Sequence, residues 1–195
     1  MQIEGANNPG NRAHVSDDGQ LQALAVSITE QAQKSLKGDA YNINTGELTL
    51  TNDVETPLFY FRNETEDDAI VIPRVFLSFL VSTGGVGKVK ACVKANVTGG
   101  TVISNTALPP TNFNFGSSKL PGASLTLGGT GITETGGTIG PEFLFTSDNQ
   151  RATVAFEAII LPRGASMTLT FTPPAGNTSM IVEAGANFYI DGDFN

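Results

Sequence analysis

From Ala40 to the C-terminus, short runs of alternating apolar and polar residues are cut every few positions by Gly, Pro, Asn or Asp. This punctuation constrains the fold more than any other feature, because the runs have strand length and a period of two. Tyr41-Asn42-Ile43-Asn44, a Thr45-Gly46 turn and Glu47 to Thr51 predict a hairpin. Pro57 to Asn63 is a strand closed by the acidic turn Glu64 to Asp68. Ala69 to Val81 alternates through Ile70, Ile72 and Phe76, and Pro73 within it predicts an edge strand or a pair of strands. Lys88 to Asn96 follows the turn Thr83 to Gly87, and Thr153 to Leu161, Ser166 to Pro173 and Met180 to Ile190 complete the set. Phe59, Phe61, Phe76, Phe79, Val93, Phe156, Ile160, Leu169, Phe171, Phe188 and Ile190 form the expected core.

Two stretches depart from this rhythm. Residues 1 to about 20 are polar, rich in Gly, Asn and Asp, and read as a free arm. Residues 21–37 fit helical spacing through Leu21, Leu24, Ile28, Ala32 and Leu36, with Gly38 as a stop, yet Leu24-Val26-Ile28 also alternates. An extended segment with at most one short helix is expected there. Residues 104–141 form a long Gly-, Thr-, Ser- and Pro-rich excursion with a weak strand at Ser124–Leu127. Loops of that length inside a compact domain are usually functional. The domain reading is therefore 1–38 as an N-terminal arm and 39–195 as a β-sandwich carrying the 104–141 loop. The fold class is all-β, a single sandwich of jelly-roll type with strands at short regular intervals.

Composition narrows the partners. Only 15% of the 195 residues are charged, so the surface is built from neutral polar groups, as sheet proteins more often show than helical ones. The net charge of −8 and only 11 Lys and Arg argue against direct nucleic-acid binding, which depends on phosphate neutralisation. Lys88, Lys90 and Lys94 share one face of a strand and read as a solvated sheet face. The apolar stretches fall far below a membrane span, and Met1 to Gly5 lacks the basic and apolar regions of a signal peptide. The expectation is a soluble chain made in a cytoplasm. The single cysteine, Cys92, is read as a small core hydrophobe.

No catalytic, cofactor-binding or metal site emerges from the residues. The one histidine, His14, lies in the polar arm, where no nucleophile could be held beside it. One His and one Cys exclude the usual zinc ligand sets. Gly84-Gly85-Val86-Gly87-Lys88 imitates a phosphate loop, but Ser82 and Val89 occupy the places where that motif needs Gly and Ser or Thr. Glu64 to Asp68 and Asp191-Gly192-Asp193 could offer oxygen ligands to Ca²⁺, without the spacing of an EF-hand loop. The sequons at Asn63, Asn96 and Asn177 match only by chance if the chain is not secreted.

The segment Gly38 to Gly46 followed by Leu48-Thr49-Leu50-Thr51 resembles small virion proteins of tailed bacteriophages. Ser82 to Gly85, Asn114-Phe115-Gly116-Ser117-Ser118, Ile160 to Gly164 and Thr172 to Ser179 fall in the same order as in such sequences, so the resemblance spans roughly residues 20–190. It implies a structural part of the virion, with capsid decoration (cement) the favoured role and the major capsid protein as partner. Such proteins commonly carry a β-sandwich with an extended arm and assemble as dimers or trimers. The arm and the 104–141 loop are the expected contacts. The rival reading is a tail or head fibre or spike component that binds a host-surface glycan, against which stands the absence of Trp. An enzyme, such as a small glycosidase or lyase, ranks last.

Overall fold

The computed structural model describes residues 2–4, 12–15, 21–22, 29–51, 53–64, 68–83, 88–95, 108–121, 125–128, 136–146, 150–175 and 179–192. By its contacts the chain divides into two compact units, Met1–Glu30 and Gln31–Asn195. The first holds three short antiparallel strands, β1 (Gln2–Glu4), β2 (Arg12–Val15) and β3 (Leu21–Gln22), in the order β1-β2-β3.

The second unit is all-β apart from one helix among its described residues, α1 (Glu30–Lys37), whose first residue closes the preceding unit. Its strands are β4 (Ala40–Asn44), β5 (Leu48–Thr51), β6 (Thr56–Asn63), β7 (Ala69–Thr83), β8 (Lys88–Ala95), β9 (Thr111–Asn112), β10 (Leu125–Gly128), β11 (Thr138–Thr146), β12 (Gln150–Leu161), β13 (Ser166–Thr172) and β14 (Ser179–Asp191). They make two antiparallel sheets. One has five strands in the order β10-β6-β13-β8-β11; the other runs β12-β7-β14-β4-β9, with β5 also on β14.

The two sheets pack face to face, sandwich-like, over one apolar core. Phe59, Phe61, Val93, Leu169 and Phe171 enter it from the first sheet, and Tyr41, Ile43, Phe79, Val182 and Phe188 from the second. Rings meet across the gap: Phe61 lies edge-on to Phe188 at 5.3 Å, and Phe79 lies 5.6 Å from Phe171. Such pairs add to the area they bury through the complementary charge of ring edge and face. Asn63 closes one end of the sandwich. Its fully buried amide donates to the carbonyls of Asp68 and Leu161, both at 2.8 Å.

Four expectations are corrected. The residues 40–51 do not form a hairpin. β4 pairs with Gly185–Tyr189 and β5 with Ser179–Val182, so both run along the same side of β14. Thr45, Gly46 and Glu47 bulge between them: Thr45 N–H donates to Ala184 O, and Gly46 takes φ +66°. A Gly in a left-handed conformation serves a bulge as readily as a turn, which is why the sequence misleads.

β7 is one central strand, neither an edge nor a pair, and it contains Pro73. Its register with β12 shifts between Ala155 and Ile159, opposite Ile72 and Arg74, and its register with β14 shifts between Asn187 and Tyr189. Both ladders are therefore interrupted where the proline lacks its N–H. The same irregularity exchanges the faces of the strand. Ile70 and Ile72 point into the core before it, whereas Val75, Leu77 and Phe79 do so after it.

Phe76 is consequently half-buried on the outer face rather than a core residue, and Ile160 is exposed because Leu161 and Ile159 take the inward positions on β12. Phe156 lies outside the described side chains, and Ile190 packs partly buried against the core.

The 104–141 stretch is not a bare loop where it is described. It supplies β9 to one sheet, β10 to an edge of the other, and the start of β11 at the opposite edge. β10, Leu125–Gly128, overlaps the weak strand expected at 124–127, whereas β11 was hidden by Gly140 and Pro141 at its bulge.

Candidate functional site

The strongest candidate for a functional surface is a platform built from α1 and residues 108–121. The helix carries Glu30 in its first turn and Lys34 and Lys37 in its last, matching the helix dipole, and it buries none of its residues. Gly38, at φ +76°, ends it: Asp39 N–H donates to Lys34 O at 2.8 Å and Gly38 N–H to Ser35 O at 3.0 Å, a Schellman cap. A side chain at position 38 would also strike Ser117, since a Cβ there lies 2.7 Å from the Ser117 hydroxyl.

Around that cap the loop is fixed by its own polar groups. Asn112, almost buried, donates to Gly38 O at 2.9 Å and Lys119 O at 3.0 Å and accepts from Asn114 N–H at 2.8 Å. Asn114 donates to Leu36 O and accepts from Gly116 N–H. Lys119 pairs with Asp39, and Phe113 N–H donates to Ala40 O. The Phe113 ring packs on Ala40, Val71 and Tyr189, a small apolar cluster separate from the main core.

On this knitted base three large apolar side chains face water. Phe115 is 88% exposed, Leu36 73% and Leu120 71%. A flexible loop could fold such groups away, whereas a loop fixed by this many hydrogen bonds holds them out. Their transfer from water to a partner would be worth about 1.5–3 kcal/mol each if burial were complete. A second exposed apolar group, Ile139 and Leu144 on β11, lies at an outermost strand of the five-stranded sheet.

The residues singled out from sequence fall as follows. Lys90 pairs with Glu142 at 3.5 Å and Lys94 with Glu55 at 3.0 Å, so two of the three lysines on β8 are matched by carboxylates. Glu55 is pushed up by burial, but hydrogen bonds from Thr170 and Lys94 and the charges of Lys94 and Lys90 outweigh this and hold it below the usual range. Cys92 is buried as expected, although on the side of β8 opposite the main core. Burial, then Glu142 and Glu55, push its thiol upward, which disfavours the reactive thiolate.

Asp191, the first of the C-terminal acidic pair, bonds Lys34, while Asp193 and Thr65 to Asp67 lie outside the described residues. Glu64 pairs with Arg62. Among the described residues no group of three or more His, Cys, Asp or Glu could hold a metal ion. His14 sits in β2 opposite Gln2 and Gln22, and Lys88 opens β8, with Gly84 to Gly87 outside the described residues. Of the sequons, Asn63 has its amide sealed in the fold; Asn96 and Asn177 lie outside the described residues. Among the described residues no helix is long and apolar enough to cross a membrane.

Sequence reasoning pointed to the 104–141 stretch as a contact but missed Leu36, which it assigned to a helical apolar face. The available signal was Asn112-Phe113-Asn114-Phe115-Gly116: in alternation one ring must face away from the other, and turn-forming neighbours fix which. No protein-family model matches the chain, and no curated protein matches its sequence.

Proposed function

We propose that the chain is a bacteriophage virion structural protein, a capsid decoration protein that stabilises the head by binding the major capsid protein. The observation that carries this reading is Phe115, held in water on a rigid base beside Leu120 and the end of α1. Groups presented in this way serve as anchors that seat in a partner's pocket without an ordering cost. The resemblance to small phage virion proteins supplies the particle, and the low charge and net −8 suit an outer surface that keeps particles apart.

In this reading the sandwich has jelly-roll connectivity and the residues ahead of α1 act as an arm laid across the shell. The protein assembles as a dimer or trimer, so symmetry multiplies each modest contact. It has no catalytic role, binds no nucleic acid or cofactor, and resides in the virion. Purified protein added to expanded heads that lack it should bind and raise their resistance to heat. Protein that does not bind such heads, or heads equally robust without it, would sink the proposal.

A further inference from the structure

The outer face of the six-stranded sheet is covered at one end and bare at the other. At the covered end Phe113 of the platform lies on Val71, Tyr189 and Ala40. The next row, Arg74, Asn187 and Asn42, is polar, and Asn42 donates to Asn187 Oδ1 at 3.0 Å. Beyond it the sheet opens into a groove of about 380 Å³ lined by Asn42, Asn44, Phe76, Ser78, Glu183 and Gly185.

The floor is bare for a structural reason. Gly185 pairs with both Asn44 and Phe76, and a Cβ there would lie 2.6 Å from Ile43 O, so no side chain can fill the groove from below. The Phe76 ring stands at its side, 3.6 Å from where that Cβ would be. Phe76 faces this way because of the exchange of faces at Pro73. Polar groups are fixed around the ring: Asn44 donates to Glu183 at 2.8 Å and accepts from Gly46 N–H.

We propose that this groove binds a saccharide. A pyranose offers an apolar C–H face and a rim of hydroxyls that both donate and accept. An aromatic ring beside carboxamides, a hydroxyl and one carboxylate answers both needs. The alternatives fit less well. Among the described side chains none that lines the groove is a cation to hold an anion, a single carboxylate there cannot cage a metal, and the apolar surface is too small for a lipid chain. The polar groups are already positioned by bonds within the sheet, so little ordering is left for the ligand to drive. This site is distinct from the Phe115 platform and does not depend on the capsid reading.

The test is binding of the labelled full chain to an array of bacterial, fungal and plant oligosaccharides. Wild-type protein is expected to bind at least one of them. Phe76→Ser, which removes the ring, and Ser78→Tyr, which fills the groove from its open side, are expected to weaken that binding at least about tenfold. Both change half-exposed positions, and unchanged thermal melting verifies that the fold is kept; should Phe76→Ser melt early, Ser78→Tyr alone decides. Wild-type protein that binds none of the arrayed saccharides, or binding undiminished by Ser78→Tyr, overturns the proposal. Capsid binding by Ser78→Tyr, expected to be normal, separates a failure here from a failure of the decoration reading.

Discussion

Lys34 and Asp191, 157 residues apart in sequence, meet as a nearly buried ion pair with Nζ and Oδ1 2.8 Å apart. The pair fastens α1, which buries no residue of its own, to the end of β14. Through it the platform is tied to a strand at the centre of the larger sheet.

Lys34→Met keeps most of the aliphatic stem and removes the charge opposite Asp191. Breaking a buried pair costs more than the pair is worth, because one buried charge loses its counter-charge, and a loss of about 3 kcal/mol is expected. Chemical denaturation measures it. Hydrogen exchange should show residues 30–37 losing protection well before the strands. Unchanged protection in α1 would show that the pair does not hold the helix.

Tyr41 is completely buried, and its hydroxyl has no hydrogen-bond partner among the described residues. Burial, with a smaller push from Asp39, raises it from 10.0 to about 12. A phenol whose folded value exceeds its unfolded one leaves stability intact below pH 10. That stability is lost as pH climbs towards 12, by roughly 2–3 kcal/mol in all. Tyr41→Phe should remove much of this alkaline loss and raise stability at neutral pH by about 1 kcal/mol, since no hydrogen bond is given up. Urea melts at several alkaline pH values test both halves.

Glu55 behaves in the opposite sense. Its carboxylate, held low by Thr170 and Lys94, contributes stability that is present above the ordinary Glu value and disappears as pH falls through its own. Glu55→Gln should flatten the acid limb of the stability profile by lowering stability at neutral pH, by less than about 1 kcal/mol because the group is partly exposed, while leaving stability in acid unchanged.

Gly185→Ala should be among the most damaging small substitutions in the chain. The added Cβ meets backbone, Ile43 O at 2.6 Å, and backbone between paired strands cannot step aside. A loss of about 3 kcal/mol is expected in denaturant unfolding.

Phe115→Ser and Leu120→Ser should leave stability within about 0.5 kcal/mol, because the side chains they replace already stand in water. Their effect should appear in binding to expanded heads, with a loss of at least about tenfold for Phe115→Ser. Titration against purified heads measures it.

The strands were legible where an apolar run of strand length was bounded by turn residues, as in Thr56–Asn63 and Lys88–Ala95, or where apolar and polar residues alternated, as in Ser166–Thr172. Reading failed at irregularities in pairing, which belong to two strands at once. Pro73 looked like an edge signal because its own residue type carries no trace of the bulge in β12, or of the extra residue that β7 itself holds against β14, which together accommodate it. Gly46 looked like a hairpin turn because β14, which pairs on both sides of it, comes more than 130 residues later. The site was half visible. The excursion could be nominated by its composition, but which phenylalanine it hides and which it displays depends on Ala40, Val71 and Tyr189 lying beneath Phe113.

The irregularity at Pro73 gives β7 something like a reading frame. Substituting that residue alters little, since no ladder hydrogen bond is asked of it. What holds the faces is the bulge: were β7 to run regularly through 72–74 at its present length, Arg74, Phe76 and Ser78 would turn towards the core and Val75, Leu77 and Phe79 towards water. The two halves of the strand are thus separate cassettes whose phase is kept by a single residue.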